Sequence, residues 1–141
     1  MEAESRMKIT KNVLEAITAH AKREAPIEAC GYLAREGGII TRHYELANID
    51  RSPEHFLFDP KEQFAVFRDA RAKGLEICAV YHSHPATPAR PSAEDIKLAY
   101  DPSLSYVIIS LAADDADVRS FKIRKLKAEQ EVLEVIDGDK L

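Results

Sequence analysis

The sequence predicts an α+β domain with one central, mostly antiparallel mixed sheet flanked by helices, on three observations. Stretches of helical period at Thr10–Glu24 and Asp59–Lys73 are interspersed with short apolar runs. Two of those runs, Ile77–Tyr81 and Tyr106–Leu111, are apolar almost throughout, as strands buried on both faces are. Gly37-Gly38, between Ala29–Ala34 and Ile39–Leu46, is a hairpin signal. The order helix, hairpin, helix, buried strand, short helix, strands suits a sheet with helices packed on it.

Each element has a local reason. Thr10 is placed to cap the first helix, and Val13, Leu14, Ile17 and Ala21 form its buried stripe. Pro26 ends that pattern. Asn48–Glu54 is polar and contains Pro53, so it reads as a loop, and His55–Phe58 reads as a short strand. Asp59-Pro60-Lys61-Glu62 is a helix start, with Asp59 capping and Pro60 in the first turn. That helix should reach Lys73 with Phe64, Phe67 and Ala70 inward, and Gly74 should stop it. Ala86–Pro91 is a loop and Ser92–Tyr100 a short helix. Val118–Ile123 and, more weakly, Val132–Ile136 alternate as outer strands do.

The 141 residues fit a single domain, 1–141, with residues 1–6 a loose polar leader. Composition is that of a globular chain: 45% apolar, 31% charged, net charge −4. No basic stretch suggests nucleic acid, and no apolar run suggests a signal peptide or a membrane span, so a cytoplasmic location is expected. Cys30 and Cys78 lie far apart among apolar neighbours and form no CxxC pair; they read as small buried side chains.

The chemistry concentrates after the buried strand, in His82-Ser83-His84-Pro85 through Ser92-Ala93-Glu94-Asp95. Alternate strand residues share a face, so His82 and His84 can aim at one point while Ser83 points away. A catalytic zinc takes three protein ligands and keeps a fourth position open. Asp95, in the first turn of the next helix, is the best third ligand. An ion so held lowers the pKa of water from 15.7 to roughly 7. A carboxylate that is not a ligand must then move protons. Read alone, the two histidines are equally an exposed pair at a strand end. Read alone, Ser92–Asp95 is better explained as a helix cap. His20, His43 and His55 lack partners at ligand spacing and read as structural or surface residues.

The segment resembles the JAMM motif of the MPN-domain metalloproteases: His, Ser or Thr, His, seven residues, Ser, two residues, Asp. Upstream, Pro26-Ile27-Glu28-Ala29-Cys30-Gly31-Tyr32-Leu33 resembles that family's P-x-E-x-C-G-x-L segment. The resemblance covers essentially the whole chain. It implies an MPN, cytidine-deaminase-like fold and one Zn2+ held by His82, His84 and Asp95, although iron or manganese suits the same ligands. It implies Glu28 as general base and acid, and Ser92 as a donor to the oxyanion of the tetrahedral intermediate.

The family acts on amide or isopeptide bonds after the Gly-Gly tail of ubiquitin-like proteins. At this length the chain is similar to the compact prokaryotic members, several of which trim an amino acid or peptide from a ubiquitin-like sulfur carrier. A carrier with a Gly-Gly tail is therefore the expected partner, with Asn48–Phe58 offering a strand edge for the tail. Two other readings stand beside this one: a non-catalytic scaffold of the same fold, and a zinc hydrolase of a small-molecule amide. A nucleobase deaminase is disfavoured because it needs P-C-x-x-C.

Overall fold

The structure is a computed structural model and describes residues 6–137. Its elements run β1 (Arg6–Thr10), α1 (Lys11–Glu24), β2 (Cys30–Glu36), β3 (Ile39–Leu46), α2 (Pro60–Ala72), β4 (Glu76–His84), α3 (Ala93–Lys97), β5 (Ser105–Ser110), β6 (Asp117–Arg124) and β7 (Lys127–Ile136). The expected α+β domain is present: a mixed sheet with helices on its faces.

The strand order is β1-β3-β2-β4-β5-β6-β7. Pairs β2–β3, β2–β4, β5–β6 and β6–β7 are antiparallel. β4 pairs parallel with β5, and β1 pairs parallel with both β3 and β7, which closes the sheet on itself. β1 departs from the expected leader, which gives way at Arg6; residues 1–5 lie outside the described residues. Met7 and Ile9 are buried, and Arg6–Thr10 pairs residue by residue with Val132–Ile136. β6 and β7 are not outer strands: β6 lies between β5 and β7, and β1 covers the edge that β7 would expose.

Thr10 ends β1 and caps α1, its hydroxyl oxygen accepting the Val13 N–H at 3.3 Å. Val13, Ile17 and Ala21 of α1 pack with Leu33, Tyr81, Val107 and Ile109 on one face of the sheet. Tyr32, Leu46 and Val80 face the other way and meet Val66 of α2. Asp59 caps α2 through the Lys61 N–H at 2.9 Å, and Gly74, at φ 69°, follows its last turn in the left-handed region. The inward face of α2 differs from expectation. Val66 and Ala70 are buried and Phe67 meets the Tyr32 ring edge-on, whereas Phe64 is 69% exposed. From Pro60 the helical period puts positions 63, 66, 67 and 70 on one stripe and 64 beyond its edge, about 110° from the stripe's centre.

His55–Phe58 is a loop rather than a strand. Asn48 takes the place of a ladder. Its Nδ2 donates to the carbonyls of Glu28 (3.1 Å), Ser52 (3.4 Å) and His55 (3.0 Å), and its Oδ1 accepts from Asp50 and Leu57 N–H, both at 3.2 Å. Asn48–Phe58 forms no strand in the structure. Ser92–Tyr100 is helical only over Ala93–Lys97, and β4 extends through His84 before Pro85 ends it.

Candidate functional site

His82 and His84 leave the end of β4 on one face and lie almost wholly buried. Their Nε2 atoms are 3.1 Å apart. Asp95 Oδ2 lies 3.2 Å from His82 Nε2 and 3.1 Å from His84 Nε2, so three donor atoms form a near-equilateral triangle. His84 Nδ1 lies 2.8 Å from the Pro88 carbonyl, which can only accept, so Nδ1 carries the proton and Nε2 faces the cluster. Phe56 stacks on His82, ring centroids 4.9 Å apart.

The helix cap and the ligand reading of Asp95 hold together. Ser92 Oγ accepts the Asp95 N–H at 3.0 Å, and Asp95 Oδ2 accepts the Ser92 N–H at 2.9 Å, a reciprocal capping box. That second bond fixes the oxygen that meets both histidines. The Pro88 loop is fixed as well: Ala89 is buried against Ile108, Phe121 and Ile123, and Ser110 Oγ donates to the Thr87 carbonyl at 2.6 Å.

Glu28 precedes β2. Cys30 pairs with His82, and the Ser83 N–H donates to the Ala29 carbonyl at 3.0 Å, so the same register continued sets Glu28 across from His84. Ser83, pointing away from the histidines, accepts the Ala29 N–H on Oγ at 2.7 Å and fastens the strands there. Glu28 is only 3% exposed, and its Oε1 has no hydrogen-bond partner. A buried orphan carboxyl oxygen is costly unless something polar arrives to use it. Burial pushes this carboxyl from an ordinary 4.5 to about 8, with His84 pulling it down and Asp95 and Glu94 adding to the rise. Burial also raises Asp95, but its bonds to His82 and His84 outweigh this and hold it well below the usual carboxylate range. Burial lowers His84, yet the Asp95 bond and the Pro88 carbonyl bring it above its ordinary value.

Two imidazoles and one carboxylate thus form a three-donor group that could hold a metal ion. Tetrahedral ligands about 2.0–2.1 Å from a zinc ion stand about 3.3 Å apart. The distances of 3.1–3.2 Å here match a small divalent ion without rearrangement. The other histidines stay outside the site: His20 meets the Tyr81 hydroxyl at 2.8 Å, His43 meets Glu45 and His55 meets Asp50. Cys30 and Cys78 are free and buried, and burial pushes their thiols up to about 12 and about 11.

Residues 10–124 match the family described as prokaryotic homologs of the JAB domain. The chain belongs to that family. It is 36% identical over 132 residues to the CysO-cysteine peptidase of Mycobacterium tuberculosis, covering 92% of this chain and 90% of the relative. It is 39% identical over 94 residues to a probable TtuB-protein conjugate cleaving protease of Thermus thermophilus, covering 64% and 62%. The solution structure of a Desulfitobacterium hafniense protein superposes with a TM-score of 0.85 at 46% identity, covering 93% of each chain. As a JAB-family enzyme the chain is a hydrolase of peptide or isopeptide bonds.

Sequence reasoning named the three candidate ligands and Glu28, which the structure brings together, but missed the groups that hold them. Phe56 gave no signal beyond an apolar position. Asn48 looked like any loop asparagine, and a main-chain acceptor such as the Pro88 carbonyl leaves no mark in a sequence. Among the described residues no helix is long and apolar enough to cross a membrane.

Proposed function

We propose that this JAB protein is a zinc metallopeptidase that hydrolyses the amide bond following the C-terminal Gly-Gly tail of a ubiquitin-like sulfur-carrier protein, releasing an amino acid or short peptide. The observation that carries the reading is the buried Glu28 carboxyl, its Oε1 without a hydrogen-bond partner, set by the β2–β4 register across from His84 of the His82–His84–Asp95 triangle. A metal set alone binds; a metal set beside an unused carboxyl near neutral pKa hydrolyses. The relatives named for CysO-cysteine and for TtuB conjugates support this substrate class.

His82, His84 and Asp95 would hold the ion, which when bound supplies Lewis acidity toward water and the scissile carbonyl. Glu28, as the carboxylate, takes a proton from the attacking water. As the acid, it returns that proton to the leaving nitrogen, and a carboxyl poised near 8 exchanges protons readily in either direction. The Ser92 hydroxyl uses its oxygen to cap α3 and keeps its O–H free to donate to the developing oxyanion. Phe56 and Tyr106 line a small cavity beside His82 and Asp95.

Phe56, Leu98 and Tyr106 also line an apolar groove of about 470 Å³ with Tyr32, Phe58 and Phe67. The apolar residues of a carrier that precede its glycines would lie in this groove, which replaces the strand edge expected at Asn48–Phe58.

The test is a carrier ending in Gly-Gly with one added residue, followed by mass spectrometry. Trimming should stop with a chelator and return with zinc. Trimming that continues in chelator would refute the metal, and intact carrier after incubation with zinc-loaded protein would refute the substrate.

A further inference from the structure

Glu28 also lines a second cavity, of about 200 Å³, with Glu24, Ile27, Leu46, Asn48 and Arg51. This cavity shares no lining residue with the apolar groove. Its character is ionic, with two carboxyl groups and one guanidinium. Among the described residues the Arg51 side chain has no hydrogen bond or ion pair.

Arg51 is held where it is. Its φ of 46° is in the left-handed region, which a non-glycine residue adopts only when its surroundings impose it. Its N–H donates to the Asn48 carbonyl at 3.0 Å. The residues at either end of this turn grip Glu28: Asn48 Nδ2 donates to the Glu28 carbonyl, and the Ser52 carbonyl accepts the Glu28 N–H at 2.9 Å. The loop therefore fixes the Arg51 main chain relative to the proposed acid–base residue and leaves an exposed, unengaged guanidinium at the cavity.

We propose that this cavity is the leaving-group subsite and that Arg51 receives the free α-carboxylate of a single small C-terminal amino acid. The inference rests on the peptidase reading and deepens it by naming the leaving group. When the amide is hydrolysed, its C–N bond breaks and the water oxygen stays on the glycine carbonyl carbon. Both water protons end on nitrogen, the first carried by Glu28. The products are a carrier carboxylate and an amino acid ammonium. An amino acid places its carboxylate one carbon from that nitrogen, and a guanidinium receives a carboxylate in a two-point contact. The emerging ammonium meets Glu28 and Glu24. A lysine side chain released from a conjugated protein carries no carboxylate beside its nitrogen, so such conjugates use the subsite poorly.

The experiment compares zinc-loaded protein on two synthetic peptides ending in Gly-Gly-Ala, one a free acid and one a C-terminal carboxamide. The wild type should prefer the acid by about tenfold or more in kcat/KM. Arg51→Gln should bring that ratio close to one, and Arg51→Lys should keep part of it. A wild-type ratio near one, or an unchanged ratio in Arg51→Gln, overturns the subsite, Arg51 then being only a solvated surface cation. If neither peptide is cleaved, the peptidase reading fails, and a binding arm judges the cavity separately. ¹⁵N-labelled protein is titrated with alanine and with alanine amide. Backbone signals of Ala47, Asn48 and Arg51 should shift with alanine only. Equal shifts with both, or none with either, reject the subsite.

Discussion

Asn48 Nδ2 donates to the main-chain carbonyl of Glu28 at 3.1 Å, tying the loop after β3 to the residue proposed to move protons. The same side chain satisfies four other main-chain groups of that loop. Asn48→Ala leaves the Glu28 and His55 carbonyls and the Asp50 and Leu57 N–H groups without these bonds, while the Ser52 carbonyl keeps the Glu28 N–H; each loss costs about 1 kcal/mol or more where water cannot replace the bond. We expect a loss of about 2–3 kcal/mol in urea unfolding and a fall in kcat of tenfold or more, with metal content unchanged. Unchanged kcat in a well-folded Asn48→Ala protein contradicts this role.

Glu28 makes stability depend on pH in a stated direction. Its carboxyl sits at about 8 in the folded, metal-free chain against an ordinary 4.5. Between those values the folded state keeps a proton that the unfolded state has released. Stability therefore falls as pH rises from about 4.5 to about 8, by a few kcal/mol in total. Glu28→Gln carries no such proton. Urea titrations in chelator should show Glu28→Gln more stable than wild type at pH 9, with the gap closing near pH 5. A gap independent of pH contradicts the shifted carboxyl.

Ser92 orients Asp95 by the capping box. Ser92→Ala removes the acceptor of the Asp95 N–H and should cost about 1 kcal/mol. The main-chain N–H that holds Asp95 Oδ2 is kept, so the effect on the metal comes through the loosened first turn of α3, at the low end of the 10–100-fold typical of groups that orient a ligand. Competition with a chromogenic chelator should show zinc affinity reduced about tenfold. Unchanged affinity would contradict a part for Ser92 in holding the metal.

Gly31 allows β2 to pass close to Tyr81. A Cβ there would run into the Tyr44 carbonyl oxygen and, at 2.5 Å, the Tyr81 ring. Gly31→Ala forces β2 away from β3 and β4 next to the Cys30–His82 pair. A loss of about 3 kcal/mol or more is expected by denaturant unfolding, with weaker zinc binding in whatever protein folds.

Much of this site was legible because its signals are local. Two-residue spacing on an apolar strand dictates a shared face for His82 and His84, and Ser92 to Asp95 is a cap at the length a capping box requires. Pro60 and Gly74 mark the bounds of α2 by backbone chemistry alone. What was not legible depends on distant pairing. β1 gives little strand signal because Arg6–Thr10 is polar in alternation, and its longer pairing, with β7, lies more than a hundred residues on. His55–Phe58 has the composition of a strand, but the Asn48 side chain claims the neighbouring main-chain groups. Phe64 looks inward by hydrophobicity and is turned outward by the register of α2. The burial of Glu28 arises from the meeting of β2, β4 and the Asn48 loop, which no window of sequence contains.

The measurement that reaches the central claim most directly is paired metal analysis and carrier cleavage on Glu28→Gln. The side chain keeps its size and loses its proton chemistry, while His82, His84 and Asp95 stay intact. We expect one zinc per chain, as in wild type, and a fall in cleavage of a Gly-Gly-extended carrier of 100-fold or more. A Glu28→Gln protein that binds zinc and trims the carrier at the wild-type rate would contradict the account.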